Sequence, residues 1–308
     1  MPSSMLALGH LRRKGLDGLV RWLATSAGAA ALVVAVGARL GPGPALADET
    51  SAMDDLGLAE ADALAQELGI PFRAVRFADF AVVSDLPSDR LHVHGETLAE
   101  AAADFIEAMS MLGIDAQPPA RPLTVVMFSD HREFVEFAAR ADGVDAHWMG
   151  GYYASGTNRA VMYDDVGGPE FIAATGEGAS AAEIAQQAAR ATREKIRHEV
   201  AHLLAFNCGV QSRSVDHPLW FTEGLAESFA RGALSGAGPV RRTARHEDDP
   251  VRAFYEQSRL MVDAMIDQDP SRIAALLRAS PGGLASAPAE FSAVSAVGGG
   301  ARLEPTPP

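Results

Sequence analysis

The residues His198-Glu199-Val200-Ala201-His202 set two histidines four positions apart, with a glutamate directly after the first. Apolar residues recur at helical spacing around them, which predicts a helix. Positions four apart on a helix lie about 40° apart around its axis, so both imidazoles project from one face. Two such imidazoles can bind one Zn²⁺, and Glu199 lies where it can take a proton from zinc-bound water. The alternative is a surface helix whose polar side chains are simply solvated.

A second motif, Trp220-Phe221-Thr222-Glu223-Gly224-Leu225-Ala226-Glu227, can supply a third ligand. A catalytic zinc needs three protein ligands and an open fourth position. Glu223 on a second helix offers the carboxylate, and the linker that follows His202 is long enough for the chain to turn back. Asp216 and His217 are rival third ligands. An amphipathic helix with solvent-facing glutamates is the alternative that needs no metal.

Two neighbours of Glu223 have predicted roles of their own. Glu227 lies one turn further along the same helix face, where it can accept a hydrogen bond from the distal N–H of a ligating histidine. Gly224 has no side chain, so we expect it to let this helix approach the H-E-x-x-H helix closely.

The composition narrows the class of protein. Of 308 residues, 48% are hydrophobic and 21% charged, which is typical of a globular chain and excludes collagen, coiled coil and wholesale disorder. The 40 acidic residues outnumber the 26 basic ones, which argues against nucleic-acid binding. A single cysteine excludes an intramolecular disulfide and a multi-cysteine metal site. Any metal site must therefore use His, Asp and Glu.

Residues 1–47 have the features of a secretory signal. A basic start is followed by an apolar run over 22–38 and by Ala45-Leu46-Ala47, so cleavage is expected after Ala47. An uncleaved membrane anchor is the alternative. The Arg12-Arg13 pair leaves Sec and twin-arginine export both open. The sequence thus predicts a protein exported to the periplasm or outside the cell.

The region 48–278 is predicted to be one α+β domain, with a mixed sheet and its helices first and a mainly helical half from about residue 181. The tail, 279–308, is rich in Gly, Ala, Ser and Pro and is predicted to have no structure. The pattern predicts helices over 56–68 and 96–112, strands over 77–83 and 123–128, a helix capped by Ser129, and a hairpin of 151–154 with 160–163.

The two motifs together resemble the gluzincin zinc metallopeptidases, in particular the peptidase-MA-like domains of bacterial exported proteins. Weaker matches, at the strands over 80–87 and 122–128, the hairpin over 150–163 and the helix around Tyr255, extend the resemblance to about residues 75 to 275. The resemblance implies a zincin-like fold with one Zn²⁺. It makes His198, His202 and Glu223 the ligands and Glu199 the general base.

The resemblance also implies how a substrate would be held. A hairpin edge strand pairs with the extended peptide in gluzincins. This role falls on Asn158, Arg159, Ala160, Val161, Met162 and Tyr163. Tyr255 is the expected group that stabilises the oxyanion, with His217 and His246 as substitutes.

The function expected from these observations is that of an exported zinc metallopeptidase that hydrolyses peptides or proteins. A zinc-containing domain that binds peptide or cell-wall material without turnover is a second hypothesis. A structural domain without metal is the third. The expected partner is a peptide or protein substrate, no nucleic acid is expected, and a membrane is expected only if residues 1–47 stay attached.

Overall fold

A computed structural model describes residues 46–169, 171–172, 180–235 and 250–278. The strands are β1 (Arg73–Phe77), β2 (Phe80–Ser84), β3 (Leu123–Phe128), β4 (Gly151–Ala154) and β5 (Arg159–Tyr163). The helices are α1 (Leu46–Leu68), α2 (Ser88–Met111), α3 (His131–Phe137), α4 (Ala181–Asn207), α5 (Leu219–Arg231), α6 (Pro250–Gln268) and α7 (Ser271–Arg278). A π turn, Ala138–Asp142, extends α3, and a 3₁₀ turn, Asp165–Gly167, follows β5. Most of the predicted signal, His246 and the predicted tail lie outside these residues.

The strands form one mixed five-stranded sheet in the order β1-β2-β3-β5-β4. The three inner strands run parallel, and each edge strand is antiparallel to its neighbour. With the mainly helical second half, this architecture confirms the predicted α+β class. Within the described ranges, none of the helices combines the length and the apolar character that crossing a membrane requires.

Both faces of the sheet are covered, so its inner strands are apolar on both sides. One face packs against α2 and α4, and contributes Phe80, Val82, Leu123, Val125, Met127, Ala160 and Met162. The other face packs against α1 and α3, and contributes Ala81, Val83, Val126, Phe128, Val161 and Tyr163. The near-continuous apolar run of β3 is therefore the mark of a buried central strand, as predicted.

The predicted edge strand is wrong in its placement. The hairpin is present as β4 and β5, but β5, which follows Asn158 and contains Arg159, Ala160, Val161, Met162 and Tyr163, lies between β3 and β4. All five residues of β5 are buried, whereas both ends of β4 are partly exposed. At the end of the sheet opposite β1, the edge strand is therefore β4.

Two other local predictions are corrected. The strand predicted over 77–83 is a hairpin, because the chain turns at Ala78, whose φ of 47° is left-handed, and β1 precedes the turn. The cap of α3 is Asp130, which accepts hydrogen bonds from the backbone N–H groups of Arg132 and Glu133. Ser129 instead bonds to the Asp85 carboxylate.

Helix α2 begins at Ser88, earlier than predicted. Its first turns contain His94 and Thr97, which are buried although they are polar. His94 lies 3.0 Å from the buried carboxylate of Asp164, which Arg90 also contacts. The Thr97 hydroxyl donates to the Val93 carbonyl oxygen at 3.0 Å. Because both polar side chains have partners, the helix can bury them, although polar residues at these positions obscure the apolar pattern of a helix.

Gly224 serves a different contact from the predicted one. A Cβ at this position would lie 2.4 Å from the Ser258 carbonyl oxygen and 2.7 Å from Val262 Cγ2. Both atoms belong to α6, not to α4. Gly224 therefore allows α5 and α6 to pack closely, and α4 is held to α5 on another face.

Candidate metal centre

Three side chains from two helices bring their ligand atoms together. His198 and His202 lie one turn apart on α4, with their Nε2 atoms 3.2 Å apart, and Glu223 comes from α5. Its Oε2 lies 3.2 Å from His198 Nε2 and 3.4 Å from His202 Nε2. Of the described residues, this group could hold a metal ion.

The spacing of these atoms can be compared with a tetrahedral site. Ligand atoms about 2.0–2.1 Å from a central Zn²⁺ at tetrahedral angles lie about 3.3–3.4 Å from one another. The separations of 3.2 to 3.4 Å match this value. Two imidazoles and one carboxylate are also a donor set that zinc accepts. The residues present therefore fit the metal that the sequence predicts.

The charges at the centre suit a cation. Burial alone opposes ionisation of Glu223, but His202 and His198 outweigh it and hold the pKa of that carboxyl well below its ordinary value. Glu223 is only 4% exposed. It therefore stays an anionic ligand, as metal binding requires.

Glu227 contacts the ring nitrogen of His198 that is not part of the ligand cluster. Its Oε1 lies 3.2 Å from His198 Nδ1, and its Oε2 accepts a hydrogen bond from Arg231 Nε at 2.8 Å. Burial opposes ionisation here too, yet His198 and Arg231 lower the pKa of Glu227 to about 2. His198 Nδ1 makes no hydrogen bond within the described residues, so this contact is an electrostatic one that leaves Nε2 for a metal.

Glu199 lies beside the ligands without joining their cluster. It is 7% exposed and lines the same cleft. Burial raises the pKa of Glu199, against the opposing effect of His198 and His202. A carboxylate with a raised pKa holds a proton more readily, which is the property of a general base that must pass the proton on.

A cleft of about 950 Å³ opens over the cluster. Its walls come from β4, α4, the connection between α4 and α5, one side of α5 along its length, and the first turns of α6. The size and the mixed apolar and polar lining are those of a small-molecule or peptide site.

The edge strand β4 runs along α4 in the same direction. A Cβ at Gly150 would lie 3.0 Å from Lys195 Cε, and one at Gly151 would lie 2.9 Å from Glu199 Cγ. Further along, the Tyr153 ring stacks on Phe206 with centroids 5.5 Å apart. The free edge of the sheet thus borders the cleft beside Glu199, which the inner strand β5 does not.

Tyr255 comes from α6 to the rim of the cluster. Its ring centroid lies 5.9 Å from that of His198. Burial raises the pKa of Tyr255 well above its ordinary value, and the charges of Glu223, Glu199 and Glu227 add to this effect. The hydroxyl therefore keeps its proton and is a hydrogen-bond donor.

The rival ligands stand apart from the cluster. Asp216 and His217 line the cleft but do not belong to the group of ligand atoms. Both ring nitrogens of His217 are buried, with no hydrogen-bond partner among the described residues, and burial lowers the pKa of the ring. His217 is thus part of the cleft wall.

Three further cleft residues were not among the predicted site residues. Gly151 is one of 29 glycines, and nothing local marks it as the one that faces Glu199. Lys195 precedes the H-E-x-x-H motif, and Arg213 lies in the connection between α4 and α5. Gly151 and Arg213 reach the cleft through contacts between distant parts of the chain, which no spacing rule shows. Lys195 lies four residues before Glu199 on the same helix face, so its position could have been found from the spacing.

Comparison with known families finds a similarity over the helical half that contains the candidate metal centre. Residues 192–276 match the model of a family described as a protein of unknown function, DUF1570. No curated protein matches the chain. The matched region contains His198, Glu199, His202, Glu223 and Tyr255, so the chain is similar to this family in the segment that forms the candidate metal centre.

Proposed function

We propose that this protein is an exported zinc metallopeptidase of the gluzincin type. The observation that carries the proposal is the tetrahedral spacing of three ligand atoms, with Glu199 buried beside them in a cleft of peptide size. The free sheet edge along the cleft supports it, because an extended peptide can pair with such an edge.

His198, His202 and Glu223 would hold the zinc. When bound, zinc supplies a Lewis acid that polarises the peptide carbonyl and activates water. Glu199 takes a proton from the attacking water and delivers it to the leaving amine, so that one water is consumed and one carboxyl and one amine are formed. The Tyr255 hydroxyl donates a hydrogen bond to the oxygen that gains charge.

The decisive experiment compares hydrolysis of a broad peptide library by zinc-loaded wild type and Glu199→Gln. The substitution keeps the shape of the side chain and removes the base. We expect zinc content and melting temperature near wild type and hydrolysis lower by roughly 10²–10⁴-fold. Glu136→Gln, which changes an exposed glutamate of α3, is the control and should keep full activity.

Two results would count against the proposal. Retained hydrolysis in Glu199→Gln would place the base elsewhere, with Glu227 the next candidate. A wild-type protein that binds zinc and cleaves nothing would favour a zinc-containing domain that binds peptide or cell-wall material without turnover.

A further inference from the structure

Among the described residues that line the cleft, one cationic side chain has no carboxylate partner. Three cationic side chains line it: Lys195, Arg213 and Arg231. Lys195 Nζ lies 2.9 Å from Asp165 Oδ1, and Arg231 is paired with Glu227. Arg213 has only neutral partners among the described residues. Arg213 is exposed at the cleft, so its charge is accessible to a ligand that enters there.

The guanidinium of Arg213 is held in place by the cleft wall. Its Nη2 donates to the Tyr153 hydroxyl at 2.8 Å and to Asn158 Oδ1 at 2.6 Å, and its Nη1 donates to the Phe206 carbonyl oxygen at 3.4 Å. Its Cζ also lies 5.5 Å from the centroid of the Phe206 ring. These contacts use three of the five N–H groups of an arginine, so two remain for a ligand.

The position of Arg213 relative to the metal centre follows from the helix. Phe206 is four residues beyond His202 on α4, which is about 6 Å along the axis. An extended peptide advances about 3.3 Å per residue. Arg213, which lies against Phe206, is therefore about two peptide residues from the metal centre along the cleft.

We propose that Arg213 binds a carboxylate of the bound peptide, so that the cleft prefers peptides that carry one at this position, on an Asp or Glu side chain or at the C-terminus. The inference rests on the proposed function, since it takes the ligand to be a peptide. A peptide antiparallel to β4 would place the residues before the cleaved bond near Arg213, where an Asp or Glu side chain would meet it. A peptide parallel to β4 would bring its C-terminal carboxylate there instead.

The test measures peptide binding, so it does not depend on turnover. The probes are fluorescent peptides that are blocked at both ends and differ only by Glu or Gln at one scanned position. They are titrated against zinc-loaded Glu199→Gln protein. A Gln peptide with a free C-terminus separates the chain end from the side chain. We expect a carboxylate at one position to tighten binding roughly tenfold, as a charge-assisted hydrogen bond in a partly open site would.

Three variants identify the cause of this preference. In Arg213→Gln, the peptide with the carboxylate and the matched peptide without it should bind with about the same affinity, so that the ratio of the two affinities falls to about one. Asn158→Asp should do the same while keeping the arginine, because it sets an internal carboxylate against the guanidinium. Arg193→Gln removes an exposed cation of α4 that lies outside the cleft lining and should keep the ratio.

A preference that survives Arg213→Gln, or equal binding of all peptides by the parent protein, would overturn the inference. Loss of both affinities in equal proportion would mean that Arg213 only braces the cleft wall. The two proposals can also fail separately. If the preference depends on Arg213 but the wild-type protein hydrolyses no peptide, the inference about Arg213 stands and only the peptidase proposal is rejected.

Discussion

Glu223 determines whether the two histidines of α4 become a metal site, because two imidazoles alone leave a zinc ion under-coordinated. We expect Glu223→Ala to lower the zinc content from about one ion per chain to near none, measured by metal analysis after gel filtration. Glu96→Ala, at an exposed glutamate of α2, is the control and should change nothing. Unchanged zinc in Glu223→Ala would instead point to Asp216 or His217 as the third ligand.

Among the helices and strands, the contact between β4 and α4 sets the position of the edge strand relative to Glu199. A methyl group at Gly151 would lie 2.9 Å from Glu199 Cγ and 3.1 Å from Met162 Cβ, so Gly151→Ala must push the strand or the glutamate aside. We expect peptide hydrolysis to fall about tenfold or more, since small misplacements at a reacting centre are costly. Gly156→Ala, in the turn of the same hairpin, has no atom within 4 Å of the new methyl group and should keep its activity. Equal activities would show that the strand has room to move.

For the whole molecule, a metal shared by α4 and α5 would couple ligand binding to stability. With zinc at about 100 times its Kd, binding adds about 2.7 kcal/mol to the free energy of unfolding. For a domain of this size, each kcal/mol shifts the melting temperature by roughly 2–4 °C. We therefore expect chelation to lower it by roughly 5–10 °C in thermal unfolding followed by circular dichroism. Glu223→Ala should not respond to the chelator, and an equal response of both proteins would contradict a site at this residue.

Much of this architecture could be read from local patterns. The four-residue spacing of His198 and His202 sets both imidazoles on one face in any α-helix, so their proximity follows from helix geometry alone. The apolar run of β3 and the turn residues between β4 and β5 likewise act through their nearest neighbours. The contact of Glu223 with the histidines could not be predicted from local patterns. The length of the linker showed only that the chain could turn back.

Local sequence patterns therefore establish the set of chemical groups, the helix that presents two of them and the α+β class, because these depend on short-range periodicity and composition. The tertiary structure alone decided that β4 and not β5 is the free edge, that Gly224 faces α6, and that Arg213 stands at the cleft. Strand order and helix contacts are set by packing between residues far apart in the chain, and a one-dimensional pattern carries no record of which buried surface meets which.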